Sequence, residues 1–78
     1  MECTYILIRN TYEMEKNTRN SFGIAVVEEE NDVAIVLESF SDLSSDVTKV
    51  EQLVRICNEL GLDPIHLSEV VQDFLAEV

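Results

Sequence analysis

The chain has 78 residues, 46% of them hydrophobic, and its 16 acidic residues outnumber 5 basic ones for a formal charge of −11. That length provides interior for one small core, which predicts a single domain over residues 1–78 and argues against a deep active-site cavity. The charge disfavours direct binding to nucleic acid or an anionic membrane, because phosphate contacts need Lys and Arg, and it favours basic partners.

The first half of the sequence has the composition of β-strands. A first strand is predicted from about Cys3 to Met14, where β-branched and aromatic residues are frequent. Polar "EKNTRN" predicts a connection to a second strand over "SFGIAVVEE". Asn31 and Asp32 predict a tight turn, since both residues tolerate positive φ, and "VAIVLESF" predicts a third strand. The simplest pairing is a three-stranded antiparallel meander.

The hydrophobic period becomes helical after "SDLSSD", which offers several N-cap residues. The first predicted helix ends at Gly61, and Asp63 caps a second helix with Pro64 at its first position. The predicted buried stripe of the first helix is Val47, Val50, Leu53, Val54, Cys57 and Leu60. That of the second is Leu67, Val70, Val71, Phe74, Leu75 and Val78.

These elements predict an α+β fold in which two helices pack on one face of a three-stranded antiparallel sheet, in the order β-β-β-α-α. The strands have apolar residues on both faces. If the helices cover the face with Ile6, Ile8, Phe22, Ile24, Val26, Val33, Ile35 and Leu37, the reverse face carries Tyr5, Leu7, Ala25, Val27, Ala34, Val36 and Phe40. Sheets apolar on both faces are usually covered on both. The reverse face is therefore predicted to contact a partner or a second copy through Tyr5, Leu7, Val27 and Val36, unless small residues such as Ala25 simply tolerate water.

The sequence from Ser21 onward resembles a family of short bacterial domains of unknown function, known mainly from Firmicutes. The shared segments are "FGIAV", "LESFSDLSSD", "VEQLVRICNELGL" and "DPIHLSEVVQDFL". The resemblance implies a fold and a bacterial setting, and it implies no catalytic residue.

His66 is the only histidine, and a helix would place it at i, i+3 and i+7 with Glu69 and Asp73. Imidazole and carboxylates are donors for divalent ions, so a metal site is one interpretation and a partner contact is another. The favoured interpretation is structural: His66 follows the Asp63 cap and folds back on it or packs against the preceding loop.

Little in the sequence indicates an enzyme or a cofactor site. There is no Gly-rich phosphate loop, GxSxG, CxxC or HExxH motif. Cys3 and Cys57 lack metal-like spacing and are predicted to be reduced, buried thiols. The longest apolar run, Val33 to Leu37, is far shorter than the roughly 20 residues that span a bilayer, and nothing resembles a targeting signal. We therefore expect a non-catalytic cytoplasmic protein.

The distribution of carboxylates suggests where a partner binds. Residues 20–48 and 56–78 contain no Lys or Arg, and Glu69, Asp73 and Glu77 recur at i, i+4, where like charges repel. The candidate acidic contacts are Glu28, Glu29, Glu30, Asp32, Glu69, Asp73 and Glu77. The leading hypothesis is an acidic protein-interaction domain that uses the open sheet face or the acidic helix surface. The alternative is a nucleic-acid mimic that fills the basic groove of a nuclease or a bacterial defence effector, in the manner of an anti-CRISPR protein.

Overall fold

A computed structural model describes residues 2–77. Strand β1 (Glu2–Met14), strand β2 (Asn17–Glu30) and strand β3 (Val33–Ser44) are followed by helix α1 (Val47–Leu60), a 3-10 turn (Pro64–His66) and helix α2 (Leu67–Glu77). The strands form an antiparallel sheet in the order β1-β2-β3. This architecture confirms the predicted α+β fold with a β-β-β-α-α order.

The strands are longer than the sequence indicated. Residues 17–20, predicted as part of a connection, belong to β2 and pair with residues 11–14 of β1, so only Glu15 and Lys16 form the turn. Strand β3 continues past Phe40 to Ser44. The β2 extension is polar and exposed, and interstrand backbone hydrogen bonds form there without an apolar face to bury, whereas the β3 extension includes Leu43, which is buried in the core. Hydrophobic alternation therefore underestimated the length of the sheet.

The second turn has the conformation that its sequence predicts. Asn31 and Asp32 have φ values of 51° and 66°, and Glu30 pairs with Val33 on either side of them. Two residues with positive φ give a hairpin turn whose twist matches that of the strands, and Asn and Asp adopt this conformation at lower cost than most residues.

The predicted assignment of β1 residues to the two faces of the sheet was wrong. Tyr5 pairs with Val26 and Leu7 pairs with Ile24, and residues directly opposite each other share a face. Tyr5 is 3% exposed in the core, and Leu7 packs against the same cluster. Tyr5 and Leu7 therefore lie under the helices and are not available for a partner. Phe40 was also predicted on the reverse face, but it pairs with Ile24 and packs against the core, because the irregularity of β3 beside Val26 and Val27 shifts its alternation. Sequence alternation gives neither such irregularities nor which face of β1 joins which face of β2.

The core lies between the helix-covered face of the sheet and the two helices. It consists of Tyr5, Ile24, Val26, Leu43, Val50, Leu53, Cys57, Leu67 and Val71, with Leu7, Phe22, Phe40, Val54, Leu62, Val70 and Phe74 packed around it. Leu60 and Leu75, predicted to be buried, are exposed, with Leu60 at 73%. Leu60 is the last residue of α1, where the apolar stripe has passed the end of the underlying core. Val78 lies outside the described residues.

The helix boundaries follow the predicted caps. The Asp46 side chain accepts a hydrogen bond from the Thr48 N–H, and Gly61 has φ 58° at the C-cap of α1. The Asp63 side chain accepts from the Ile65 N–H at 3.1 Å. Pro64 begins a 3-10 turn rather than an α-helical one, and α2 proper begins at Leu67.

Strand β3 is irregular where it passes β2, with register shifts between Phe22 and Ile24 and between Val26 and Val27. Gly23 lies at the first of these. A Cβ atom there would stand 2.1 Å from the Phe40 carbonyl oxygen, so the backbones approach closely only because residue 23 has no side chain.

Candidate functional site

The reverse face of the sheet, opposite the helices, carries a group of apolar side chains. Ile6 pairs with Ala25, and Val27 pairs with both Thr4 and Val36. Val36 is 59% exposed, whereas Val27 is half-buried. Both helices pack on the other face, so no described element covers this one. Of the four predicted sheet-face contacts, Val27 and Val36 lie on the open face and Tyr5 and Leu7 do not.

The turn joining β2 and β3 places carboxylates beside this apolar group. Glu29, Glu30 and Asp32 are exposed, and Glu28 is half-buried. By strand alternation Glu29 shares the reverse face with Val27, whereas Glu28 and Glu30 lie on the opposite face at the same end of the sheet. The following residues of β3, Val33, Ile35, Val36 and Leu37, are all exposed although apolar. We call residues 28–37 the acidic hairpin. The structure thus brings together the predicted sheet-face residue Val36 and four of the predicted acidic contacts.

The other predicted acidic residues, Glu69, Asp73 and Glu77, lie along the exposed side of α2. Asp73 and Glu77 border a groove of about 390 Å³ between α1 and α2, with Leu53, Ile56 and Phe74 among its apolar lining residues. The sequence predicted the carboxylates on α2 and did not predict the groove, because its apolar floor combines residues of both helices.

The carboxylates have few basic partners within the chain. Among residues 2–77 the one contact between a carboxylate and a basic side chain within 4.0 Å joins Glu69 Oε2 to His66 Nδ1. No carboxylate in that range is within the same distance of a Lys or Arg nitrogen. Among the described residues, the negative potential of the acidic surfaces is therefore not reduced by direct ion pairs with Lys or Arg, although Lys49 lines the same groove as Asp73 and Glu77, and a basic partner would experience it.

His66 is placed differently from the expectation. Its backbone N–H donates to the Asp63 carbonyl at 2.9 Å, which closes the 3-10 turn. Its side chain is largely exposed and approaches Glu69 instead of folding back on the Asp63 cap. The proposed side-chain capping role was wrong, since the backbone of His66 makes the turn. The described residues contain no cluster of three or more His, Cys, Asp or Glu arranged to hold a metal ion.

The two cysteines differ. Cys57 is buried in the core, and burial raises the pKa of its thiol above the ordinary value. Cys3 is exposed on β1, so the prediction of two buried thiols was wrong for it. Cys3 pairs with Glu28 near the end of the sheet, where the helices do not reach.

Two polar contacts were missed from the sequence. The Tyr12 hydroxyl donates to the Asp42 carboxylate, at 2.8 Å from Oδ2, and this hydrogen bond raises the pKa of Tyr12. Asp42 has φ 58°, a left-handed conformation that Asp tolerates better than most residues. The side-chain amide of Asn58 bonds both backbone groups of Tyr5, at 2.8 and 2.9 Å. Neither contact has a local sequence signal, because each joins residues far apart in the chain.

Comparison with known families bears on identity. A family described as "Family of unknown function (DUF6514)" matches residues 1–77. The chain belongs to this family. The match begins before Ser21, so β1 and the first turn are part of the family domain as well. No curated protein and no solved structure matches the chain. No helix among residues 2–77 is long and apolar enough to cross a membrane.

Proposed function

We propose that this member of the DUF6514 family is a non-catalytic interaction domain that binds a basic protein partner through the reverse face of its sheet and the acidic hairpin. The observation that carries the proposal is the uncovered apolar group around Val27 and Val36 at the end of the sheet where four carboxylates of the acidic hairpin lie, Glu29 on the same face. The proposal places the protein in the bacterial cytoplasm, in line with the family resemblance and the composition.

The physical argument combines two properties of this surface. Burying exposed side chains such as Val36 and Ile6 contributes about 25 cal/mol per Å² of apolar area removed from water. Protein interfaces commonly surround such an apolar centre with polar groups, and opposite charges on the partner increase the rate of association and the specificity. The unpaired carboxylates of residues 28–32 would provide that charge.

Nucleic-acid mimicry is the second candidate, and the outer side of α2 supports it. Glu69, Asp73 and Glu77 are exposed at regular spacing on one helix, and none is paired with Lys or Arg. A rigid row of carboxylates can occupy a basic groove that otherwise holds phosphates. On this hypothesis the sheet face is not needed for binding.

Affinity capture from a bacterial lysate, at low and high salt, tests both hypotheses with three variants. Val36→Lys places a charge on the reverse face, and Leu60→Lys places the same charge at the exposed end of α1 as a control. The combined variant Glu69→Lys, Asp73→Lys reverses charge on α2. We expect V36K to reduce the amount of captured partner about tenfold and L60K to leave that amount unchanged. The α2 variant should capture the partner as the wild type does.

The opposite pattern would favour mimicry: capture by V36K, loss with the α2 variant, and a steep decrease in captured protein as salt increases. If no variant and no salt concentration changes what is captured, neither surface binds a partner specifically and the proposed function is wrong.

A further inference from the structure

On the β1 edge of the sheet, a side chain satisfies the outward backbone groups of Tyr5. Tyr5 and Val26 are opposite each other, and the Asn58 side chain accepts from the Tyr5 N–H and donates to the Tyr5 carbonyl. The Tyr5 backbone therefore points away from β2, and the Asn58 amide makes the two hydrogen bonds that a neighbouring strand would make. Strand β1 is blocked at this position, as natural proteins often protect edge strands.

Strand β3 forms the other edge, and its backbone is open. Glu30 and Val33 flank a two-residue turn and form a hydrogen-bonded pair, so the alternation of antiparallel pairing directs the Ala34 and Val36 backbone groups outward. Within residues 2–77, no hydrogen bond outside the β-ladder reaches the backbone of either residue. Two N–H groups and two carbonyls are thus presented in a row.

The open segment is short and apolar. Regular pairing is interrupted after Val36, because Val27 pairs with Val36 while Val26 pairs with Glu38. Val33, Ile35 and Val36 are each more than half exposed. Since successive strand residues point to opposite faces, an added strand would contact apolar side chains on both sides. The segment Val33–Val36, which we call the open edge, combines free backbone groups with exposed apolar side chains.

Charge distinguishes the two occupants that could pair with it. Residues 20–48 contain seven carboxylates and no Lys or Arg. A second copy paired antiparallel about Ile35 would align Ala34 with the second copy's Val36, and it would bring the turn carboxylates of one copy towards the Glu38 end of the other copy's open edge. Like charges brought close together repel, so the surroundings of the open edge oppose self-pairing and favour a chain with Lys or Arg.

We propose that the open edge accepts an extended, basic segment of a protein partner as a fourth strand. This inference rests on the proposed function and specifies its mode: main-chain hydrogen bonds to Ala34 and Val36 provide affinity, and attraction of Lys or Arg side chains to the nearby carboxylates of residues 28–32 and Glu38 provides selectivity. The reverse-face residue Val36 lies at the same position, so sheet face and edge form one surface.

A direct test uses two capped peptides as probes, one alternating lysine with valine and one alternating glutamate with valine. Amide hydrogen exchange is followed by NMR at each residue of the protein. Before peptide is added, the outward N–H groups of Ala34 and Val36 should exchange faster than that of Ile35, which bonds to β2. The lysine peptide at millimolar concentration should slow exchange at Ala34 and Val36, and the glutamate peptide should not.

Two proline variants test the hydrogen bonds. Ala34→Pro removes an outward N–H without breaking the ladder to β2, because proline is tolerated on a free strand edge. Thr11→Pro is the matched control: Thr11 is exposed on β1, and the register also directs its N–H outward. We expect A34P to weaken binding of the lysine peptide about tenfold and T11P to leave it within about twofold.

Four results would overturn the inference: no binding of the lysine peptide, equal binding of both peptides, slowed exchange elsewhere only, or unchanged affinity in A34P. Protection of Ala34 and Val36 that rises with protein concentration alone, together with a doubled mass in sedimentation, would identify a second copy as the occupant and also overturn it. Lysate capture separates the two proposals. If the lysine peptide does not bind but V36K still reduces capture of a partner from the lysate, the open-edge inference is wrong and the proposed function stands. Failed capture with successful peptide binding rejects the proposed function alone.

Discussion

Asn58 in α1 and Tyr5 in β1 are joined by a pair of hydrogen bonds: the Tyr5 N–H donates to Asn58 Oδ1 at 2.8 Å, and Asn58 Nδ2 donates to the Tyr5 carbonyl at 2.9 Å. The Tyr5 hydroxyl donates in addition to the Leu62 carbonyl at 2.7 Å. Tyr5 therefore links the edge of the sheet to α1 and to the loop after it. These bonds fix α1 over β1 and occupy the outward backbone groups of Tyr5, whereas no side chain of the described residues occupies those of Ala34 and Val36 on β3.

Replacing Asn58 by alanine should destabilise the protein by about 1–2 kcal/mol. Two partly buried bonds are lost, each worth about 1 kcal/mol, and the better helix propensity of alanine offsets part of the loss. Urea unfolding gives the free energy. Gln52→Ala, at an exposed position on the same helix, is the control and should change stability by less than about 0.5 kcal/mol. Equal stability of N58A and wild type would contradict the prediction.

Tyr5 should make stability fall at high pH. Burial, followed by the effect of nearby acidic groups including Cys57, raises the pKa of Tyr5 from 10.0 to about 12. The folded state binds this proton more tightly than the unfolded state does. The resulting stabilisation is complete below pH 10 and is lost as pH rises from 10 towards 12.

Tyr5→Phe isolates this effect, because the remaining alkaline titrations are common to both proteins. Y5F should be about 1 kcal/mol less stable at neutral pH, having lost the bond to Leu62, and should lose less stability than wild type between pH 10 and 12. Unfolding measured at several pH values gives the free energy of unfolding as a function of pH. Tyrosinate absorbance in Tyr12→Phe follows the titration of Tyr5, and the same measurement in Y5F follows that of Tyr12. Parallel pH profiles for wild type and Y5F would contradict the prediction.

Gly23→Ala should be among the most damaging single-methyl changes. The new Cβ would lie 2.1 Å from the Phe40 carbonyl oxygen, a backbone atom that cannot rotate away. Overpacking of this kind costs about 1–3 kcal/mol, and a contact this short should give the upper end of that range or more. Thermal or urea unfolding measures the loss.

Gly61→Ala is the comparison for that variant. An added Cβ at Gly61 meets nothing within 4 Å, and the cost arises only from its φ of 58°. We expect about 1 kcal/mol for G61A. The prediction fails if G23A is the more stable of the two.

The thiols should react at very different rates. Cys3 is exposed, whereas Cys57 is 1% exposed and burial raises its pKa, so little thiolate is accessible there. A maleimide added to the native protein should label Cys3 first, and Cys57 should react only at the rate at which the protein opens. Mass spectrometry of the digested protein locates the label. Rapid labelling of Cys57 in native buffer would show that α1 is not packed as described.

The sequence alone was sufficient for the elements that local rules govern. Asp46 and Gly61 delimit α1 because capping is a local hydrogen-bond requirement. Asn31 and Asp32 specify their turn because few residues accept positive φ. The order of strands followed from short connections. The carboxylates of the acidic hairpin and α2 were likewise evident as residues, though not as surfaces.

Only the tertiary structure decided which surfaces are free. An alternating pattern with apolar residues on both faces does not indicate which face the helices cover, so it could not assign Tyr5 and Leu7 to the helix-covered face. Their assignment depends on the register with Val26 and Ile24. The hydrogen bonds that block β1 at Tyr5 come from Asn58, which is 53 positions away in the chain, so local sequence could not show that β1 is blocked there while β3 is open at Ala34 and Val36. Local sequence determined the strands, turns and helices of this protein. Long-range strand register and packing determined which surfaces remain free for the proposed partner.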